Sequence, residues 1–270
     1  MFAFLNGHNL FLVDRGDSSA MPVVFVHGFP MSHELWLPQI DRCAERYRAV
    51  AYDVVGHGRS DIGDGQYSIE AHVDDLISLM DHLKIPRAVV VGLSMGGYIT
   101  LRALERNPDR FLAAVLCDTR SEADTNEGKI KRFAGVAQVK REGSRVFADG
   151  FVKLLFAPSS LQRVPEDVER IRNIIAHTPP LGIAGTLLAL AARTDTTAAL
   201  SSIFVPTLLL VGEHDVHTPP AAAESMHKRI PGSRLHVIPG AGHLPNLENP
   251  EAFDGALTEY LGRLSFTKER

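Results

Sequence analysis

Residues 88–107 read A-V-V-V-G-L-S-M-G-G-Y-I-T-L-R-A-L-E-R-N. The opening apolar, β-branched run is the signature of a strand buried on both faces. It breaks at Gly92-Leu93-Ser94-Met95-Gly96-Gly97 and resumes with helical spacing at Tyr98, Leu101 and Leu104. The pattern is strand, tight turn, helix, with Ser94 at the apex. A serine displayed on a strained turn needs neighbours without side chains, and Gly92 and Gly96 supply them. The helix starting beside it aims free N–H groups, that of Met95 included, at the same point. A glycine-rich turn closing a βα unit is the plainer reading, so the rest of the chain must decide.

Upstream, Phe2–Leu5 and Asn9–Val13 flank Asn6-Gly7-His8, a hairpin signal, and Asp14–Met21 is polar loop. Pro22–Val26 is a short buried strand ending at His27-Gly28-Phe29-Pro30. Glu34–Tyr47 reads as an amphipathic helix, Ala49–Asp53 as a strand, and Ser68–Leu83 as a helix with apolar residues at i, i+3/i+4 spacing. Downstream, Phe111–Cys117 is another buried strand. Strands alternating with helices predict right-handed crossovers and a mostly parallel sheet, an α/β fold.

From Thr119 to about Ser201 the strand pattern stops. Helices are predicted over Glu127–Val139, Ser144–Phe156, Pro165–His177 and Leu181–Arg193. Such a block between two strands reads as a helical cap, residues 120–201, over the C-terminal edge of the sheet, where open α/β sheets bind ligands. The sheet rhythm returns with strands Val205–Val211 and Leu235–Ile238 and helices Pro219–Arg229 and Pro250–Leu264. The core is therefore residues 1–119 and 202–270.

Composition narrows the function classes. The chain has 270 residues, a net charge of −4 and no long run of like charge, so no nucleic-acid surface is expected. The N-terminus lacks a basic n-region and a long apolar core, and Leu181–Ala192 is too short to span a bilayer, so no membrane association is expected. The two cysteines, Cys43 and Cys117, read as buried free thiols, which fits a reducing, cytoplasmic setting. The oligomeric state stays open.

A serine hydroxyl is a poor nucleophile and needs an imidazole base held by a carboxylate. His243 lies in a Gly-rich loop directly after the last strand, at the sheet edge that Ser94 occupies. Asp215 follows the strand ending at Val211 and stands between Ser94 and His243 in chain order. Asp215 also reads as a capping aspartate, and Asp118, ending its own strand, is the alternative acid. An acyl-transfer oxyanion needs two donors: the Met95 N–H is one, and the loop carrying Gly28 offers the Phe29 N–H as the other, since Pro30 has none. His27 is expected to support that turn. Candidates for substrate contact are Phe29, Trp36, Phe133 and Phe151; Phe147, Leu155 and Phe156 suggest further apolar wall, and the cap aromatics serve equally as cap core. The cluster His214-Asp215-His217 raises a metal reading, but no H-E-x-x-H or cysteine–histidine motif accompanies it, and no metal is expected. No dinucleotide or phosphate loop occurs, so no cofactor is implied.

Taken together, His27-Gly28-Phe29-Pro30 with Trp36, Asp53-x-x-Gly56-His57-Gly58-x-Ser60, Gly92–Gly97, Gly212-x-x-Asp215 and Gly242-His243 resemble an α/β-hydrolase-fold serine hydrolase. Cys117-Asp118-Thr119-Arg120 with Ala123-Asp124-Thr125 is similar to the start of the cap in the branch of 3-oxoadipate enol-lactonases, small carboxylesterases and cofactor-free haloperoxidases. Serine at 94, where dehalogenases and epoxide hydrolases carry aspartate, points away from those. The resemblance implies hydrolysis of a small ester or lactone. Perhydrolysis, or ligand binding without catalysis on the same fold, are the alternatives.

Overall fold

The computed structural model describes residues 1–264. The end of the predicted core, residues 265–270, lies outside the described residues. The chain opens as the expected hairpin, β1 (Phe2–Leu5) and β2 (His8–Arg15). Asn6 and Gly7 turn it with φ of 49° and 89°, the two positive angles that a two-residue hairpin loop requires.

Six further strands, β3 (Pro22–Val26), β4 (Arg48–Tyr52), β5 (Ala88–Leu93), β6 (Phe111–Cys117), β7 (Thr207–Gly212) and β8 (Arg234–Ile238), complete one eight-stranded sheet. Its order is β1-β2-β4-β3-β5-β6-β7-β8. The β1–β2 and β2–β4 pairings are antiparallel, and every pairing from β4 to β8 is parallel. All six residues of β5 are buried, as its apolar run requires. The order reverses at β3, which has β4 on one side and β5 on the other. A crevice opens at the carboxyl ends of strands where such a reversal occurs. The Phe29 loop and Ser94 both leave the sheet there.

Helices α1 (Leu37–Ala44), α2 (Ile69–His82) and α3 (Met95–Arg106) cover the first half of the sheet. The helix expected from Glu34 begins as a tight 3₁₀ turn, His33–Trp36. That turn sends Trp36 into the core, fully buried between Phe25 and Phe253. Between β6 and β7 the chain is helical: α4 (Asn126–Leu155), α5 (Ser160–Arg163), α6 (Pro165–His177) and α7 (Pro180–Ala192). The two helices expected at 127–156 are the two halves of α4, meeting at a kink where Gly143 has φ 80°. The chain closes with α8 (Pro220–His227), α9 (Pro245–Glu248) and α10 (Pro250–Arg263). Cys43 and Cys117 are buried and unpaired. No single helix among the described residues is long and apolar enough to cross a membrane.

The insertion is fastened to the sheet side in two places. Near its start, Asp124 accepts from Arg193 at 2.6 Å and from Arg132 at 3.0 Å, and Arg193 lies over the Tyr98 ring of α3 at 4.3 Å. Near its middle, Phe147 and Phe151 stack on each other and meet the Phe29 ring edge-on.

Candidate active site

Ser94 sits between β5 and α3 with φ 55° and ψ −111°. A non-glycine residue held there costs about 1–3 kcal/mol, so its surroundings must impose the angle. They do. Its N–H donates to the Cys117 carbonyl at 2.9 Å, and its carbonyl accepts from the Thr119 hydroxyl at 2.9 Å. A Cβ on Gly92 would lie 2.3 Å from the Gly96 oxygen, and one on Gly96 would lie 2.1 Å from the Val26 oxygen. Alanine at either site would force the strand and helix apart.

The loop after β3 is set by a buried histidine. The His27 Nε2 accepts the Val54 N–H at 3.0 Å, which leaves Nδ1 to carry the proton and donate to the Gly28 carbonyl at 2.8 Å. Burial holds this imidazole neutral, pushed down to about 4. The loop after β4 is drawn in by Asp53. Its carboxylate accepts the His33 N–H at 2.6 Å, the His33 ring at 2.8 Å and the Arg59 N–H at 2.8 Å, while Ser60 donates to its carbonyl. His57 is a buried turn residue against the Phe29 ring, pushed down to about 3 chiefly by burial.

Asp215 and His243 meet directly. The His243 Nδ1 is 2.8 Å from the Asp215 Oδ2. The same carboxylate accepts the Thr218 hydroxyl at 2.5 Å and the N–H groups of His217 and Thr218 at 2.8 and 3.1 Å. Burial alone would raise the Asp215 carboxyl, but the His243 imidazole and these donors outweigh it and hold it well below the usual carboxylate range. The local geometry is an Asx turn within the loop and not a helix cap: Pro219 is the N-cap of α8, which no side chain caps. With Nδ1 engaged, Nε2 is the free ring nitrogen of His243.

Ser94, Met95 and His243 line one cavity of about 100 Å³ together with Phe29, Phe151 and Arg132. Met95 is the first residue of α3, where N–H groups lack helical partners. Trp36 and Phe133 do not line it. Trp36 belongs to the core, and Phe133 is 53% exposed on the outer side of α4. Of the other apolar candidates, Leu155 lines the cavity, whereas Phe147 and Phe156 are buried in the protein. The metal cluster weighed above is split: His214 turns towards Glu213 at the surface, and His217 packs on the His243 ring at 5.1 Å.

His243 also touches the insertion. The His243 N–H donates to the Leu155 carbonyl at 2.9 Å. The Glu248 carboxylate accepts from Ala157 at 2.8 Å and from Leu244 at 3.1 Å, and Arg163 donates to the carbonyls of Gly240 and Glu248.

A family profile described as alpha/beta hydrolase fold matches residues 21–250. The chain belongs to the α/β-hydrolase family. This α/β-hydrolase is 30% identical over 251 residues to 3-oxoadipate enol-lactonase 2 of Acinetobacter baylyi, covering 93% of this chain and 92% of that protein. Among solved structures it is similar to a thermophilic esterase from Thermogutta terrifontis, with 35% identity, a TM-score of 0.93 and coverage of 98% and 99% of the two chains. It is also similar to the enol-lactonase of Burkholderia xenovorans, with 30% identity, a TM-score of 0.91 and coverage of 97% and 100%. The hydrolase is thus esterase- and lactonase-like.

Sequence reasoning missed Thr218 and Arg132. Thr218 had a usable signal, since a threonine three residues after an aspartate completes an Asx turn. Arg132 had none. Its place beside the serine is set by Asp124, seven residues after the end of β6.

Proposed function

We propose that this α/β-hydrolase cleaves a small carboxylic ester or lactone through an acyl-enzyme on Ser94. The supporting observation is that Ser94 and His243 face one cavity while Asp215 holds the far nitrogen of the imidazole. The Ser94 hydroxyl attacks the carbonyl carbon as the His243 Nε2 takes its proton. The tetrahedral oxyanion lies against the N–H groups of Met95 and Phe29. Collapse breaks the C–O bond, and His243 returns the proton to the leaving alkoxide. Water then attacks the acyl group, with His243 again as base, and frees the acid and Ser94.

A cavity of about 100 Å³ is well below the size that takes drug-like ligands, which favours a short acyl group. Arg132 is the one lining residue with a fixed positive charge, beside Tyr98, His217 and Thr218, which favours a substrate carrying a carboxylate. The lactone-cleaving relatives support the same class.

The test is a panel of p-nitrophenyl esters, neutral lactones and an acidic enol-lactone, with and without a serine-directed phosphonate. Turnover of short substrates, lost on labelling Ser94, is expected. Full turnover with Ser94 labelled would remove the acyl-enzyme. Peracid formation outrunning hydrolysis when peroxide is added would assign perhydrolysis instead.

A further inference from the structure

A second buried carboxyl stands beside the proposed triad, and the mechanism above does not use it. Asp118 follows β6 as Asp215 follows β7, and its backbone is held at φ 44°. It is 1% exposed. Its Oδ1 accepts the Gly212 N–H at 2.9 Å, while its Oδ2 is buried and finds no donor. Polar atoms of Asp118, Asp215 and His243 all lie within 4.8 Å of one another.

Two carboxylates this close and this dry do not both ionise. The proton resides where the charge has least support. Asp215 accepts four donors, one of them the imidazole, whereas Asp118 accepts one. An acceptor-only oxygen at Oδ2 would be an unsatisfied buried atom, but a hydroxyl there has the Asp215 carboxylate to donate to. The groups facing Asp118 agree. Asp215 and Glu248 are acidic, the neighbouring Cys117 is held as a thiol by burial, and His243 is already engaged by Asp215.

We propose that Asp118 is a neutral carboxylic acid whose O–H is directed at Asp215, so that the pair carries one negative charge and Asp118 acts as a positioning residue for the triad. Burial and the Asp215 charge both push the Asp118 carboxyl well above its usual range, against the single Gly212 N–H. The O–H dilutes the charge that Asp215 presents to the imidazole and fixes the orientation of its carboxylate. The trio of polar atoms is thereby completed by a proton.

The proposal rests on Asp215 being the acid, and one pair of variants separates the two claims. Asp118→Asn replaces one neutral donor by another and keeps an acceptor for Gly212. It should lower kcat/KM by less than about tenfold and leave the acid limb of the pH–rate profile within about 0.3 pH unit. If Asp118 were ionised, the same change would remove a negative charge facing the imidazole and move that limb down by about one to two units. That shift overturns the proposal. Asp215→Asn should cost on the order of 10³ to 10⁴ in kcat. An active Asp215→Asn beside an inactive Asp118→Asn would instead make Asp118 the acid. Difference infrared spectra of wild type against Asp118→Asn at pH 8 should show a carboxylic-acid carbonyl band present only in wild type. Its absence overturns the proposal, as does activity lost to chelation and restored by zinc.

Discussion

The loops at the strand ends and the helical insertion above them enclose the same cavity but are held in different ways. At the strand ends, the carboxylates of Asp53 and Asp215 are each fixed by hydrogen bonds from two backbone N–H groups. The insertion meets the cavity through packed side chains such as Phe151 and Leu155, with Arg132 its one charged wall residue. Hydrogen-bonded loops on a parallel sheet have one geometry, whereas packed helices tolerate changes of side chain and small shifts. On the proposed mechanism, the sheet edge is the part that fixes chemistry, and the insertion is the part that fixes selectivity.

The sharpest way to break this division is Ser94→Ala. It should lower kcat by about 10⁴ or more without changing the circular dichroism spectrum. Near-native turnover in a rigorously pure preparation would leave the sheet edge without a chemical role.

Acid should loosen the sheet edge first. His27 and His57 are buried and pushed down to about 4 and about 3, so the unfolded chain takes up protons that the folded chain refuses. Their stability contribution is present above about pH 6.5 and falls through the window down to pH 4, by about 1.4 kcal/mol per pH unit for each ring. Urea unfolding from pH 7 to 4 should show this slope, and His57→Gln should make it shallower. An unchanged slope would mean that the ring is protonated in the fold.

On the insertion side the effects are smaller and confined to binding. Arg132→Met should raise KM for a carboxylate-bearing ester by about tenfold, with kcat within about threefold and neutral esters little changed. An equal loss on neutral esters would place Arg132 with the chemistry. Phe133→Ser, on the outer side of α4, should alter kcat/KM by less than about twofold. A larger change would bring the outer face of that helix into the site.

The same division explains what could be read from the sequence. The β5–Ser94–α3 turn was legible because steric need leaves only glycine at 92 and 96, and composition records that need directly. Asp215 and His243, which meet in the structure, are singled out as candidates by their positions just after strands, which buried apolar runs reveal. The cavity wall was not. Successive helical residues point about 100° apart, so Arg132 facing the cavity turns Phe133 away, and both fit an amphipathic pattern. Trp36 failed for a different reason. A 3₁₀ turn advances 120° per residue where an α-helix was expected, and the ring was delivered to the core. Asp118 meets Gly212 across neighbouring strand ends, a contact that no single segment displays.

The stitch between the end of α4 and the loop of His243 makes the boundary between insertion and core a poor place to cut. The Leu155 carbonyl accepts the N–H of His243 itself, and Ala157 shares the Glu248 carboxylate with Leu244. A lineage or an engineer exchanging the helical block to reach new substrates would carry the imidazole's backbone support away with it. The segment free to vary ends before Leu155, and residues 155–157 travel with the histidine, although more than eighty positions of chain lie between them.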